Sequence, residues 1–290
     1  METYIGAGGN FIDTADVYGM GVSEKLIGEF LKHTANKVYV GTKLGRRDDG
    51  LNGWPQNFTY DSIRRHVEDS LNRLGLEQLF LEQLHCVPTE QLRRGEVFEH
   101  LRKIQEEGLI KHFGVSVETT EEALICLEQH NVASLQFVFN IFRQHIADEF
   151  FNKAAENNVA LIARAPLAGG LLRGRLSAST NFCVNEHRNF NANGNAFNIG
   201  EQFSGIPFEE GVLLVDEIEQ ILPHGSMAAQ SIRWILDHAA ITTVIPEATK
   251  AEQIKVDVSA SALPILKPSV RDSLRLLYDS QVKPLIRGTY

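Results

Sequence analysis

Seven short β-rich runs, each followed by a longer amphipathic segment, fill the chain, and no other feature restricts its fold as strongly. The runs are NFIDT (10–14), KVYVGTK (37–43), QLFLEQLHCV (78–87), IKHFGVS (110–116), SLQFVFN (134–140), VALIARAPL (159–167) and ITTVIPE (241–247). The segments around them repeat apolar residues at a spacing of roughly 3.6. This predicts helices over 22–33, 60–74, 90–108, 120–130, 147–158, 211–222, 226–239, 250–260 and 268–285, with Ser23 as the N-cap of the first. Strand–helix alternation of this kind predicts a parallel sheet with helices outside it. An eight-unit barrel typically takes about 250 residues. The expectation is a single α/β domain over 1–290, a (β/α)8 TIM-type barrel with a long loop over 168–207 and a C-terminal helix over 268–285. The count falls one strand short of eight. IGAGGN (5–10) reads as the tail of a helix that a strand should precede, so the barrel is expected to lack its first strand and most of its first helix.

Composition narrows the function classes. The chain has 290 residues, 43% of them apolar and 22% charged, ordinary for a globular protein whose core needs no disulfide or metal. A net charge of −9 argues against nucleic acid or an anionic membrane as a partner. Cys86, Cys126 and Cys183 are odd in number, widely spaced and without a CxxC pair, which fits a reducing compartment. METYIGAGGN lacks the basic-then-apolar pattern of a signal peptide, and no apolar run reaches the roughly 18 residues that span a bilayer. These features lead to the expectation of a cytoplasmic protein. Oligomeric state is not legible.

Chemistry gathers where the strands end, which in a βα barrel is the face that carries the active site. The first run ends at Asp13, with Tyr18 in the loop beyond it; the second ends at Lys43; the third reaches His85. Each has an ordinary explanation by itself: a cap, a packed aromatic, a core histidine. Four such residues on three successive strands suit carbonyl reduction. A carbonyl that receives hydride must be protonated on oxygen, and a free tyrosine, with a pKa of about 10, is a poor donor at neutral pH. An ammonium at Lys43 would stabilise the phenolate, Asp13 would hold that ammonium, and His85 would orient the carbonyl oxygen.

Here the sequence resembles the aldo-keto reductases over nearly its whole length. DTADVYGMGVSE is similar to their D-x-A-x-x-Y-G segment, GTKLG to their lysine strand and LEQLHC to their histidine strand. FGVSV, LQFVFN, APLAGGLLRGRL and TTVIPEATKAEQ follow in the family's order. The resemblance implies a catalytic tetrad of Asp13, Tyr18, Lys43 and His85, a small-molecule carbonyl substrate, and NADPH (NADH being possible) bound without a Rossmann fingerprint. YGMGVS is too short to be that fingerprint. It further implies that Ser116 and Gln136 hold the nicotinamide carboxamide and that Leu167, Gly169, Leu171 and Arg175 wrap the pyrophosphate. Ala248, Thr249, Lys250 and Gln253 then meet the adenosine 2′-phosphate and adenine at a helix start.

Several positions depart from the pattern. Val117 replaces a common Asn. Arg164 stands where an aromatic side chain stacks on the nicotinamide, so a cation there is expected to disfavour the oxidised cofactor. Glu247 replaces a glycine, and Asp257 replaces an adenine-contacting Asn. Two acids near a 2′-phosphate oppose it, which weakens the expected preference for NADPH over NADH. An alternative is a non-catalytic or impaired cofactor-binding relative that acts through a partner. A third reading is a lyase or isomerase using Lys43 as a Schiff-base amine, which a nearby Asp13 disfavours by keeping the amine charged. Phe58, Trp54 and the 181–207 loop are the expected determinants of pocket size. The Asn/Gly-rich stretch 189–205 reads either as a solvated insertion or as a substrate-covering loop.

Overall fold

The computed structural model describes residues 1–47, 57–196 and 198–289; Trp54 lies outside them. Short helix α1 (Glu2–Gly6) leads into strand β1 (Phe11–Asp13), then α2 (Val22–His33), β2 (Tyr39–Leu44), α3 (Tyr60–Leu74) and β3 (Leu79–His85). Next come α4 (Thr89–Arg94), α5 (Glu96–Glu106), β4 (Ile110–Ser116), α6 (Thr120–Leu127), β5 (Val132–Val138), α7 (Ile146–Glu156) and β6 (Ala160–Arg164). The chain continues through α8 (His187–Phe190), α9 (Phe208–Ile221), α10 (Met227–Leu236), β7 (Ile241–Ile245), α11 (Ala251–Ser259) and α12 (Pro268–Leu277).

All seven expected strands form. They are hydrogen-bonded in sequence order, β1 to β7, and each pairing whose register is described is parallel. That order is the one a (β/α)8 TIM-type fold produces when each crossover is an outer helix. Strands β2 to β5 are buried almost throughout, as parallel strands covered on both faces must be. The chain forms two compact units, Met1–Gln136 with Lys153–Ala160, and Phe137–Asn152 with Leu161–Tyr290.

In the first unit, helices α3 and α5 bury apolar stripes such as Ile63, Val67, Phe98, Leu101 and Ile104. Thr59 caps α3 by accepting from the Ser62 N–H, and Gly75 closes it in the left-handed conformation at φ 69°. The single helix expected over 90–108 is two helices. Gly95, at φ 78°, ends α4 and begins α5, because a residue without Cβ takes that conformation at little steric cost. In the second unit, Phe139 packs between Trp234 at 5.1 Å and Phe151 at 5.0 Å, contacts that weight this core toward aromatic packing. The helix expected over 268–285 starts as α12, widens to a π turn over Tyr278–Val282 and tightens over Lys283–Leu285. The 159–167 strand ends early at Arg164 because Ala165 turns to φ 49°. Among the described residues, no helix is long and apolar enough to cross a membrane.

The seam between α2 and α3 depends on Gly28. A Cβ placed there would lie 2.6 Å from the Arg73 carbonyl oxygen and 2.8 Å from that of Leu74. Backbone cannot yield as a flexible side chain does. Gly28→Ala should therefore destabilise the fold by about 1–3 kcal/mol, as overpacking does, read as a lower urea midpoint with an unchanged slope.

Candidate active site

Strand register builds the first unit's site. His85 lies opposite Ser116, and Ser116 opposite Gln136, so three polar side chains share one layer at the C-terminal strand ends. Lys43 lies opposite Gln83 in the layer beneath. All five are buried.

Lys43, only 1% exposed, donates from Nζ to Asp13 Oδ2 at 2.5 Å and to the Thr14 carbonyl at 2.8 Å. An ammonium so deep needs this compensation, because desolvating an unpaired ion costs several kcal/mol. Asp13 is held in turn. Its Oδ1 accepts from Gln136 Nε2 at 2.8 Å and Gln83 Nε2 at 3.3 Å. Ser116 Oγ donates to Gln136 Oε1 at 3.4 Å. Tyr18 remains 44% exposed. Its ring stands edge-on to His85 with centroids 5.9 Å apart, and Lys43 Nζ is 5.2 Å from the Tyr18 ring centre. Asp13, Tyr18, Lys43 and His85 are thus brought together, and Gln136 reaches them through Asp13. Gln83 is a member of this network that sequence reasoning missed. The alternation of β3 offered a signal, since Gln83 and His85 share a face two residues apart.

The second unit holds the remaining candidates. Arg164 ends β6 and donates from Nη1 to Glu201 Oε2 at 2.7 Å, so the cation expected there comes with a carboxylate. Leu167, buried, precedes a 3-10 segment, Ala168–Arg173, in which Gly169 and Gly170 take φ 65° and 101°. Arg188 Nη1 donates to the Gly169 carbonyl at 3.1 Å. Leu171 is buried, whereas Arg175 is exposed beyond the Gly174 turn. Ala248, Thr249 and Lys250 are exposed at the start of α11. Gln253 is already engaged, because its Oε1 accepts from the N–H groups of Thr249 at 2.8 Å and Lys250 at 3.0 Å. Asp257 turns inward. It receives Arg173 Nη1 at 3.1 Å and Nη2 at 2.9 Å, a bidentate pair. The same Nη2 donates to the Glu247 carbonyl at 2.8 Å. Asp257 is therefore a compensated acid. Arg173 was not singled out in the sequence.

The long loop is pinned. Asn140 Nδ2 donates to the Ala165 carbonyl and to Ser204 Oγ, each at 2.9 Å, and Arg287 donates from its N–H and from Nε to the Gly205 carbonyl, each at 3.1 Å. Short helical turns cover Ile199–Glu201 and Phe203–Gly205. The end of the loop, at Ser204 and Gly205, is therefore held rather than freely solvated.

The family profile described as "Aldo/keto reductase family" matches residues 1–274, and the chain belongs to that oxidoreductase family. An uncharacterized oxidoreductase of Bacillus subtilis, YqkF, is 27% identical over 264 residues, which covers 90% of this chain and 80% of that protein. An aldo-keto reductase of Strobilurus tenacellus, str7, is 27% identical over 286 residues, 95% of this chain and 79% of its own length. A glycerol dehydrogenase structure from Gluconobacter oxydans superposes with a TM-score of 0.81 at 28% identity, over 100% of this chain and 86% of its own. The fold class is accordingly the (β/α)8 TIM type.

Removing Arg173 tests the compensation of Asp257. Burial raises the Asp257 carboxyl above its usual range, while the Arg173 hydrogen bonds and charge oppose that shift. A folded-state pKa above the unfolded one gives stability that is present at low pH and lost as pH rises through the folded value. Arg173→Ala strips the opposing contributions. Its melting temperature should therefore fall, relative to wild type, as pH rises from about 4 to 8, with the gap closing again in acid.

Proposed function

We propose that the chain reduces an aldehyde or ketone to an alcohol with NADPH, Tyr18 acting as the general acid. The observation that carries this reading is the Lys43–Asp13 pair at 2.5 Å with the Lys43 ammonium 5.2 Å from the Tyr18 ring centre. A fixed positive charge beside the phenol stabilises the negative charge left when its proton departs. Asp13 keeps that charge in place, and the two glutamine amides hold Asp13. His85, against the Tyr18 ring, would orient the substrate oxygen, leaving the phenol to supply the proton. A Schiff-base role for Lys43 is disfavoured, since an amine held by a carboxylate at hydrogen-bond distance stays protonated.

The chain's residues suit a dinucleotide. The paired glycines 169–170 adopt left-handed backbone angles that other residues take only with strain, and a Cβ on Gly169 would lie 3.1 Å from Phe203. Ser116 and Gln136 provide buried polar atoms for a carboxamide, and Lys250 with Thr249 offers an ammonium and a hydroxyl at a helix start. When bound, the reduced nicotinamide would supply hydride. The chain's own part is to bind, to orient the carbonyl and to deliver the proton. Glu247, which is exposed, and Asp257, which is paired, leave Lys250 as the residue that favours the 2′-phosphate of NADPH over NADH.

Tyr18→Phe should lower kcat for reduction of para-nitrobenzaldehyde by about 10²- to 10⁴-fold, the usual contribution of a general acid, with the NADPH Kd from calorimetry within about twofold of wild type. Retained turnover in this variant would remove Tyr18 from its role. Wild type that binds neither NADPH nor NADH would overturn the reductase reading itself.

A further inference from the structure

Asp16 takes no part in the chemistry above, yet it is only 3% exposed and lies in the loop that leads to Tyr18. That loop is a chain of tight turns. The Tyr18 N–H donates to the Ala15 carbonyl at 3.1 Å, that of Met20 to Val17 at 3.1 Å, and that of Ser23 to Tyr18 at 3.2 Å. Asp16 is the second residue of the turn that ends on Tyr18, and its own N–H donates to the Lys43 carbonyl at 3.0 Å. The Asp16 N–H therefore ties the turn to the Lys43 backbone, beside the bonds of Lys43 Nζ to the Thr14 carbonyl and of the Thr14 hydroxyl to Ser23.

The Asp16 side chain has a built environment. Arg47 Nε lies 3.4 Å from its Oδ2, and His66 Nδ1 lies 3.9 Å from the same atom. Among the described residues neither carboxyl oxygen has a hydrogen bond of good geometry, although the Val17 backbone N–H, like Arg47, favours its ionised form. Arg47, in the segment after β2, is shared, since its Nη1 donates to Asp69 Oδ2 of α3 at 2.6 Å. The other charged groups around this cluster come from each neighbouring element. Glu24 of α2 accepts from Thr42 Oγ1 at 2.5 Å and from Arg73 Nε of α3 at 2.6 Å. Glu82 of β3 is wholly buried with both oxygens lacking hydrogen bonds, and burial together with Glu24 and Asp16 pushes it well above the usual carboxylate range. Lys43 of β2 sits across the strand pair.

We propose that Asp16 is a positioning residue for Tyr18: its buried carboxyl, drawn toward Arg47, sets the turn that presents the phenol. The proposal rests on Tyr18 being the proton donor. Its force depends on the charge of the carboxyl. Burial raises Asp16 to about 7 against the pull of Arg47, so near neutrality the group changes charge. Ionised, it draws Arg47 toward itself and tightens the turn; protonated, it gives up that pull. The sign for stability runs opposite to the sign for function. A raised folded pKa means stability that is full in acid and lost as pH rises through about 7. An ionised acid at this place weakens the fold, which is the pattern of a residue kept for function.

Asp16→Asn keeps the shape and fixes the neutral form. Its melting temperature at about pH 8 should equal or exceed that of wild type, and the NADPH Kd should change less than about twofold. kcat/KM for para-nitrobenzaldehyde should drop about ten- to a hundredfold, as for a small misplacement of a reacting group. The wild-type pH profile should show an inflection near 7 that the variant lacks. The phenol titration of Tyr18, read by difference absorbance against Tyr18→Phe, should shift in the Asp16→Asn background. Arg47→Met removes the partner from the other side and should abolish the same inflection. Superimposable pH profiles and Tyr18 titrations in wild type and Asp16→Asn would overturn the proposal. So would a loss of stability at pH 8 with no change in the profile. A wild type that reduces no aldehyde would fail the reductase reading alone, because the Tyr18 titration still decides the role of Asp16.

Discussion

A buried ammonium organises the first unit. Lys43 sits in a layer of strand residues that water does not reach, and desolvation alone would destabilise it by several kcal/mol. Asp13 and the Thr14 carbonyl remove that penalty only if β1 and β2 pair in one register. A slip of one residue would turn Lys43 toward the helices and an aliphatic neighbour toward Asp13. Asp13 then requires Gln83 from β3 and Gln136 from β5. Four strands are thereby tied to one charge, and Tyr18 is placed against a group that cannot move without unmaking the network. Preorganisation of this kind is what electrostatic catalysis needs, because charges already fixed do not have to reorient when the proton moves.

The second unit treats charge differently. Two of its arginines are matched with acids from distant parts of the sequence, Arg164 with Glu201 and Arg173 with Asp257. Read singly, Arg164 is a cation and Asp257 an anion, with opposite consequences for a phosphorylated ligand. Read as pairs, both are close to neutral, and they serve to fasten the loop after β6 to its surroundings. Lys250 and Arg175 stay exposed by comparison. Two glycines and a run of pinned backbone complete a segment shaped more by conformation than by charge.

Buried acids on the outer side of the sheet form a second network behind the first. Glu24 is satisfied by Thr42 and Arg73, whereas among the described residues Glu82 and Asp16 have no hydrogen bond of good geometry on their oxygens. The two networks meet at the loop from Thr14 to Tyr18, which Lys43 holds from one side and Arg47 from the other.

The sequence by itself determined the alternation of strand and helix, the parallel order, and the chemical types at the strand ends, because periodicity and end position are local properties of the chain. Asp13, Tyr18, Lys43 and His85 were legible for that reason. Helix boundaries were less so: Gly95 splits one expected helix, and Ala165 ends a strand early, since a single backbone angle overrides an apolar pattern. Only the tertiary structure decided the partners. Gln83 joins the site because β2 and β3 align it with Lys43. Arg173 neutralises Asp257 across 84 residues of sequence, and Arg47 meets Asp16 only after β2 has paired with β1. Charge compensation is a distance between side chains, and distance between residues far apart in sequence exists only once the chain has folded.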